Sequence, residues 1–208
     1  MIYRETITDK MQEISQIVFD NFDKNYYLAG GTAIALQIGH RKSVDLDYFI
    51  NQDIDTFKLK NIIQNAFIGK QIEFTFEEKN TLWCIIDKVK VSFISRFDPL
   101  IDDVLITENF RLAQINDLVV MKLSAICGRE EYKDYFDLAC LANITDVRLW
   151  NTWWQKVYKN SDPISFMIAL ANTKNVLKIP LDIESNFKNI SPEEILSKVV
   201  FEIKSFII

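Results

Sequence analysis

The segment from residue 27 to residue 49, YLAGGTAIALQIGHRKSVDLDYF, constrains the fold more than any other part of the chain. A short apolar run leads into Gly30 and Gly31, and the stretch after them has the apolar periodicity of a helix. The alternating stretch SVDLDYFI that follows is typical of a half-buried strand. The segment therefore predicts a strand, a tight glycine turn, a helix and a second strand.

Two aspartates, Asp45 and Asp47, alternate along the second predicted strand. Because successive side chains of a strand point to opposite faces, both carboxylates should project from one face, while Val44, Leu46 and Tyr48 pack on the other. Adjacent carboxylates repel each other, and a cation relieves that repulsion. Mg2+ suits such ligands and usually takes one or two carboxylates together with substrate phosphates. The pair is a candidate Mg2+ site, although an Asp-x-Asp sequence alone is more commonly a solvated strand face.

The glycines supply the second part of a candidate nucleotide site. Gly30 and Gly31 have no side chain, so the backbone can approach a ligand closely. The helix that follows begins with unpaired N–H groups and a partial positive charge, which favour phosphate. Thr32 is expected either to cap this helix or to donate its hydroxyl to a phosphate oxygen. A Gly-Gly pair alone is commonly just a turn, and these glycines form neither a Walker-A loop nor a dinucleotide fingerprint.

The combination GGTAIALQIGHRKSVDLDYF resembles the first motif of the AbiEii/AbiGii-type nucleotidyltransferase toxins, a branch of the DNA polymerase β-like nucleotidyltransferase superfamily. The resemblance implies that the glycine turn holds a nucleoside triphosphate and that the aspartates hold the metal ions. Arg41 and Ser43, just before the aspartates, favour the AbiEii branch and become candidate nucleotide-binding residues. The sole histidine, His40, is interpreted as a positional residue and not as a catalytic base.

A second region, NDLVVMKLSAICGREEYKDYFDLACL at residues 116–141, also resembles this family. The residues that carry the resemblance are Asp117, Lys122, Arg129, Lys133, Asp134 and Asp137. On one continuous helix, Lys122, Arg129 and Lys133 would form nearly one basic stripe. Asp137 could then pair with Lys133 one turn earlier, whereas a helix break at Gly128 would end this register. From the residues alone, a solvated helix face remains the alternative.

The resemblance also implies roles for the second region. Lys122 would contact the triphosphate as a catalytic residue, and Arg129 and Lys133 would help to bind the nucleotide. Asp134 or Asp137 would orient the metal or the acceptor, or act as the general base.

Polymerase β-like enzymes commonly have a third carboxylate on a later strand, but this chain has none in the strand candidate where it would be expected. The alternating stretch DKVKVSFIS has Lys90 and Ser92 at the positions expected to face the site. Glu73 and Asp87 are substitutes that the sequence does not rank. The general base is therefore left unassigned.

The order of predicted elements indicates an α+β fold. Residues 1–108 should form a nucleotidyltransferase core, a small mixed β-sheet flanked by helices. The strand candidates in it are NYYLA, SVDLDYFI, IEFTFEE, TLWCIID and KVKVSFIS. FRLAQI is a further short strand, and Asn116 or Asp117 should cap the next helix. Residues 109–208 should form a mostly helical C-terminal domain in which Trp150, Trp153 and Trp154 pack, with a partner surface as the alternative.

Composition sets the cellular context that we expect. The net charge of −5 weakly disfavours a general nucleic-acid binder. Three cysteines without a Cys-x-x-Cys motif suggest reduced thiols. With no signal-peptide core and no apolar run long enough to span a bilayer, a cytoplasmic protein without membrane association is expected.

These observations lead to one functional hypothesis. The chain should be a Mg2+-dependent nucleotidyltransferase that transfers NMP from an NTP to an acceptor, with RNA such as tRNA favoured. The resemblance implies the toxin of an AbiE-like toxin–antitoxin or abortive-infection system, with a co-encoded antitoxin as partner. A protein-modifying nucleotidyltransferase and a non-catalytic nucleotide-binding module are the alternatives. The sequence leaves the base, the acceptor and the oligomeric state open.

Overall fold

A computed structural model of the chain describes residues 1–159 and 161–207, and within them the centre of the fold is a seven-stranded mixed sheet. The strand order is β3-β4-β5-β2-β1-β7-β6. The strands are β1 (Tyr27–Ala29), β2 (Asp45–Ile50), β3 (Ile72–Glu78), β4 (Thr81–Ile86), β5 (Val89–Ser95), β6 (Leu105–Ile106) and β7 (Arg111–Leu112). Strand β2 runs antiparallel to β1 and parallel to β5.

Helices precede, interrupt and follow the sheet along the chain. They are α1 (Asp9–Asn21), α2 (Gly30–Ile38), α3 (Thr56–Ala66), α4 (Ile115–Gly128), α5 (Tyr132–Ala142), α6 (Trp150–Val157), α7 (Ile164–Ala171) and α8 (Pro192–Ile207). The predicted α+β class is confirmed, and each strand candidate contains a strand of the sheet. None of the helices in the described residues is long and apolar enough to cross a bilayer.

One face of the sheet is covered by α1 and α3. The alternation of β2 turns Leu46 and Tyr48 toward these helices, and both side chains are buried. Tyr48 stacks on Phe93 of β5, and its hydroxyl donates to Ser15 Oγ of α1 over 3.1 Å. Because the apolar residues of β2 face this core, the odd-numbered residues of the same strand face the other way.

Val44 differs from its predicted position. Strand β2 begins at Asp45, so the pleat does not fix the side chain of Val44, which is 73% exposed. The predicted packing of Leu46 and Tyr48 is confirmed, but that of Val44 is wrong.

The sheet extends past residue 108. Strand β7 pairs in parallel with β1 through Leu28 and Leu112, and β6 pairs with β7 on its outer side. The predicted boundary at 108/109 thus falls within a β-hairpin of the sheet, and the division into two domains stays a prediction. After Leu112 the described chain is mostly helical, and Trp150, Trp153 and Trp154 are buried in the core as the packing interpretation expects.

The start of α4 also differs from its prediction. The helix begins at Ile115 after Gln114, so neither Asn116 nor Asp117 is its N-cap. Asp117 is buried, and its two carboxylate oxygens accept from the backbone N–H groups of Ile101, at 2.6 Å, and Asp102, at 3.2 Å. The side chain therefore fixes the segment between β5 and β6 and does not cap the helix.

Candidate active site

A cavity of about 640 Å³ opens between α4 and the face of the sheet opposite to α1 and α3. Asp45 and Asp47 of β2 line it beside Lys90 and Ser92 of β5, as their register requires. Among the other predicted site residues, Gly30, Lys122 and Arg129 also reach this cavity. The elements that surround it are far apart in sequence, so the sheet and α4 must both form before the site exists.

Asp45 and Asp47 project from one face of β2, as the alternation predicts. Both residues are half-buried, and Ser92 Oγ donates to Asp47 Oδ1 over 2.6 Å. Burial raises the pKa of the Asp47 carboxyl, and the neighbouring charge of Asp45 raises it further. No basic group forms an ion pair with either carboxylate among residues 1–159 and 161–207. Two clustered carboxylates without a protein cation suit a divalent metal ion.

Gly30 places the glycine turn directly against this pair. Its φ of 67° lies in the left-handed region that side chains disfavour. A Cβ at this position would lie 2.8 Å from Asp47 Oδ2. Glycine is therefore required both for the backbone angle and for the close approach of the carboxylate.

The N-terminus of α2 is open. The helix starts at Gly30 with Ala29 as N-cap, and no side chain caps it, so the prediction of Thr32 as N-cap is wrong. The hydroxyl of Thr32 instead lies within the fold, 2.7 Å from Ser43 Oγ, and donates to the backbone carbonyl of Asp45. Thr32 and Ser43 thus anchor the start of β2, while the first N–H groups of α2 have no side-chain partner.

Gly31 links the turn to a buried ion cluster. A Cβ there would collide with Arg41 Nη2 and would lie 3.4 Å from Asp137 Oδ2. The guanidinium of Arg41 binds Asp137 in bidentate fashion, with Nε–Oδ1 and Nη2–Oδ2 distances of 2.7 and 3.0 Å. The absence of a side chain at Gly31 is what allows this pair to pack beneath the helix N-terminus.

Asp137 is the centre of the cluster. It is fully buried, and besides Arg41 it contacts His40 Nε2 at 2.7 Å and Lys122 Nζ at 2.8 Å. Burial alone would raise the pKa of Asp137, but Lys122, Arg41 and the hydrogen bonds of His40 and Arg41 outweigh it and hold that pKa well below its usual range. Burial lowers the pKa of His40, so this imidazole is neutral near neutral pH and supports the cluster as a hydrogen-bond donor.

Lys122 lies between the cluster and the cavity. Its Nζ contacts Asp134 Oδ1 at 2.6 Å as well as Asp137, and the residue is only 5% exposed. Arg129 is half-exposed and donates from Nε to Asp134 Oδ2 over 2.8 Å. Burial opposes the charge of Asp134, yet Lys122 and Arg129 lower its pKa below the ordinary value. Asp134 and Asp137 are therefore ionised and saturated by protein cations, unlike the pair on β2.

The basic stripe does not form. Helix α4 ends at Gly128 and α5 begins at Tyr132, so the break that would end the helical register occurs. Lys133 contacts Glu131 at 3.1 Å, and the predicted pair between Lys133 and Asp137 is wrong because Asp137 faces the interior. The turn between the helices nevertheless brings Arg129 back toward Lys122 through their common partner Asp134.

Neither substitute for a third carboxylate lies in the cavity. Glu73 is exposed on β3, and Asp87 accepts from the backbone N–H of Gln71 while pairing with Lys70. Within the described part of the chain, no cluster of three or more histidine, cysteine or acidic side chains is arranged to hold a metal. The acidic ligands at the cavity are thus the two aspartates of β2.

Two aromatic residues that line the cavity, Phe76 and Trp83, are not among the site residues predicted from the sequence. Their rings are 4.6 Å apart, and Trp83 is 45% exposed. In the alternating stretch TLWCIID, Trp83 projects from the face of β4 that is opposite to the face of the buried Leu82 and Cys84. The sequence therefore did contain a signal that Trp83 lies on the cavity side. Phe76 had no such signal, because a bulge between Phe74 and Phe76 shifts the register of β3.

Solved structures support the fold. MenT4, a nucleotidyltransferase toxin from Mycobacterium tuberculosis, aligns with a TM-score of 0.61 and 13% identity over 95% of this chain and 82% of its own. JHP933 from Helicobacter pylori aligns with a TM-score of 0.53 and 17% identity over 99% of this chain and 93% of its own. ANT(2")-Ia, solved in complex with adenylyl-2"-tobramycin, aligns with a TM-score of 0.53 and 11% identity over 73% of this chain and 98% of its own. At these identities the similarity concerns the fold.

Sequence comparison gives the family. The Aquifex aeolicus protein aq_aa25 is 28% identical over 139 residues, which is 65% of this chain and 66%, just under two thirds, of that protein. The family model for the AbiEii toxin, a nucleotidyl transferase of type IV toxin–antitoxin systems, matches residues 14–159. This match includes both regions that carry the resemblance and covers well over half of the chain. The chain therefore belongs to the AbiEii family of nucleotidyltransferase toxins.

Proposed function

We propose that this nucleotidyltransferase uses Mg2+ to transfer NMP from an NTP to an RNA acceptor, with tRNA as the favoured class. The observation that carries the proposal is the pair Asp45 and Asp47, which has no ion-pair partner among the described residues and lines the cavity beside an uncapped helix N-terminus. A carboxylate pair and a phosphate-binding turn in contact are the two parts that a metal–triphosphate complex needs.

Asp45 and Asp47 would hold the metal. Their oxygens are the ligands that Mg2+ prefers, and two carboxylates leave coordination positions for phosphate oxygens and water. Burial is the main cause of the raised pKa of Asp47, and the neighbouring charge of Asp45 adds to it, so a bound cation would favour the ionised form of this carboxyl. A bound Mg2+ would neutralise charge on the phosphates and orient the α-phosphorus for in-line displacement.

The protein itself would hold the other end of the triphosphate. The N–H groups at the start of α2 would bind the β- and γ-phosphates, with Gly30 and Gly31 allowing the approach. Arg129 is half-exposed at the cavity and can donate to the leaving pyrophosphate. Lys122, which also lines the cavity, would contribute its positive charge toward the phosphates. The acceptor hydroxyl then attacks the α-phosphorus, loses its proton, and displaces pyrophosphate as the bond to the β-phosphate oxygen breaks.

We assign Asp134 and Asp137 a positioning role in this scheme. Both have lowered pKa values and accept from protein cations, which makes them weak bases. By fixing Lys122 and Arg41, they set the charge behind the metal site and the packing of Gly31. The general base for the acceptor hydroxyl stays unassigned among the described residues, and water is the simplest proton acceptor.

From the family match we infer that the chain acts as the toxin of a toxin–antitoxin pair and uses an NTP as its substrate. We further propose an AbiE-like role in phage defence, in the cytoplasm, with a co-encoded antitoxin that does not need to block the site. RNA is favoured as acceptor because the cavity combines exposed aromatic surface with the cation of Lys90, despite the acidic net charge of the chain.

A labelling assay tests the proposal. Purified protein, Mg2+ and each α-32P-labelled NTP are incubated with total bacterial RNA and, separately, with cell protein. The Asp45→Asn/Asp47→Asn double variant is the matched control. Label in RNA that depends on both aspartates and on Mg2+ supports the proposal and identifies the base. Label in protein would transfer the assignment to protein modification, and nucleotide binding without any label would favour a non-catalytic module.

A further inference from the structure

The cavity has an aromatic extension that the chemistry at Asp45 and Asp47 does not use. Residues that face one another across β2, β5, β4 and β3 form one row on the open face of the sheet, consisting of Asp47, Ser92, Trp83 and Phe76. Neighbouring strands lie about 4.8 Å apart, so the Trp83 position is two strand spacings, about 10 Å, from Asp47. This distance is comparable to the size of one nucleotide.

The bulge in β3 creates the aromatic pair. Phe74 is opposite Cys84, which faces the core, and a regular strand would place Phe76 on that same face. The register shift at Thr75 turns Phe76 to the open face, where it lies opposite Trp83 with the rings 4.6 Å apart. Bulges commonly re-aim a side chain next to a functional site. The result is a half-exposed aromatic surface, Phe76–Trp83, on one wall of the cavity.

A cation lies beside this surface. Lys90 is exposed, lines the cavity, and has no ion-pair partner within the described ranges. It lies opposite Ile85 on the neighbouring strand, two residues from Trp83, so it is a diagonal neighbour of the indole. An aromatic face with an unpaired cation next to it complements a nucleotide, whose base can stack while its phosphate is neutralised.

The direction of the reaction indicates which nucleotide belongs there. Helix α2 follows β1 on one side of β2, whereas β5, β4 and β3 lie on the other side. If the β- and γ-phosphates bind at the start of α2, pyrophosphate leaves toward β1. In-line attack requires the acceptor hydroxyl on the opposite side of the α-phosphorus, over β5 and β4. Trp83 therefore lies on the acceptor side of the metal site.

We propose that Trp83, supported by Phe76, stacks the base of the RNA acceptor's terminal nucleotide, and that Lys90 neutralises its phosphate. The inference rests on the proposed function, because it takes the positions of the triphosphate and the metal from it. It makes Trp83 a determinant of acceptor binding and leaves the NTP to the other end of the cavity.

Tryptophan fluorescence provides a test that does not depend on turnover. The chain has four tryptophans, and Trp150, Trp153 and Trp154 are buried, so quenching by a stacked base should come from Trp83. The probe is a short single-stranded oligoribonucleotide, compared with the same oligonucleotide carrying an abasic 3′ terminal nucleotide. We expect saturable quenching by the first, which persists with a saturating NTP analogue that cannot transfer its nucleotidyl group, and little quenching by the second.

Variants separate stacking from charge. Trp83→Ala should bind the intact oligonucleotide about tenfold more weakly, equivalent to ~1.4 kcal/mol, in an anisotropy assay. Trp83→Phe should restore most of that loss, and Phe57→Ala, which removes an exposed ring on α3, should have no effect. Lys90→Ala should weaken the intact and abasic oligonucleotides alike, since it removes a phosphate contact.

Kinetics complete the test. In the transfer assay, Trp83→Ala should raise the KM for RNA about tenfold and leave the KM for NTP unchanged. Equal binding of the intact and abasic oligonucleotides would overturn the proposal, as would a higher KM for NTP with unchanged RNA affinity, which would assign the ring to the donor base. Absence of transfer from every NTP would refute the proposed function instead, because base-dependent quenching is measured without transfer.

Discussion

Two aspartate pairs lie close together in this molecule and have opposite surroundings. Asp45 and Asp47 on β2 are half-buried at a cavity and have no protein cation as ion-pair partner among the described residues. Asp134 and Asp137 on α5 are fully buried and contact Lys122, with Arg41 and Arg129 completing the ion pairs. The same chemical group thus has no ion-pair partner in one place and is fully ion-paired in the other.

The difference separates a binding site from a support. An unneutralised pair stores a cost that a divalent cation can remove, so its free energy is available for binding. A neutralised buried pair has no such capacity, but it fixes the position of every group it touches. From the sequence motifs alone, all four aspartates are candidate site residues. Their neighbours in the structure distinguish a pair suited to binding a cation from a pair that positions other side chains.

The largest expected effect comes from removing charge at the open pair. Asp45→Asn and Asp47→Asn should each reduce transfer by roughly a thousandfold or more, since metal coordination contributes several kcal/mol at the transition state. The fold should stay intact, with equal or higher thermal stability, because the repulsion between the carboxylates is relieved. Rates of label transfer and melting temperatures with and without Mg2+ measure both effects.

The exposed Asp103→Asn provides the matched control for this prediction. Mg2+ should raise the melting temperature of the wild type and of this control, and it should have no such effect on the two site variants. Full activity in either site variant would show that the metal assignment is wrong.

The same substitution in the buried pair should have the opposite effect on stability. Asp137→Asn removes the charge that balances Arg41 and Lys122, both buried, and should cost roughly 3–5 kcal/mol of unfolding free energy. Urea unfolding monitored by circular dichroism measures this loss. Asp146→Asn breaks an exposed pair with Arg148 and should change stability little. Equal effects of the two substitutions would remove the distinction between the aspartate pairs.

The first region could be predicted from sequence because its signals are local. The period of two in SVDLDYFI fixed the common face of Asp45 and Asp47, and the glycines marked the start of α2. The hydrogen bonding of the turn was harder to predict. Thr32 is a residue type that commonly caps helices, but its hydroxyl donates to the backbone carbonyl of Asp45.

The second region could not be predicted in the same way, because its contacts are long-range. Arg41 and Asp137 are 96 positions apart in the chain, and no periodicity encodes their pairing. The stripe through Lys122 and Lys133 failed because Gly128 ends a helix, a possibility that the sequence raised but could not decide. The bulge that turns Phe76 toward Trp83 was equally hidden, since a one-residue shift leaves the composition of the strand unchanged.

A substitution at the contact between the two regions should have an intermediate effect. Gly31→Ala places a methyl group against the Arg41 guanidinium, which is held by Asp137 and cannot move freely. We expect a loss of about 1–3 kcal/mol in stability, typical of an overpacked interior, and weaker NTP binding as the start of α2 shifts. Gly128→Ala is the matched control, because its Cβ would meet no atom within 4 Å. Equal stability of the two variants would mean that the regions are not mechanically coupled.

The smallest expected effect is the pH dependence of the unfolding free energy in the absence of metal. It compares the two aspartate pairs most directly. The pKa of Asp47 is raised above the ordinary aspartate value of 3.8, so its contribution to stability is complete below that value and is lost as pH rises through the folded-state pKa. The pKa of Asp137 is lowered, so its contribution is complete above 3.8 and is lost as pH falls through its folded-state pKa. Unfolding free energies in EDTA from pH 3 to 7 should therefore show a wild type that loses stability relative to Asp47→Asn as pH rises. Relative to Asp137→Asn, the wild type should gain stability over the same range. Slopes of the same sign would mean that both pairs have one electrostatic environment and that their neighbours do not separate binding from support.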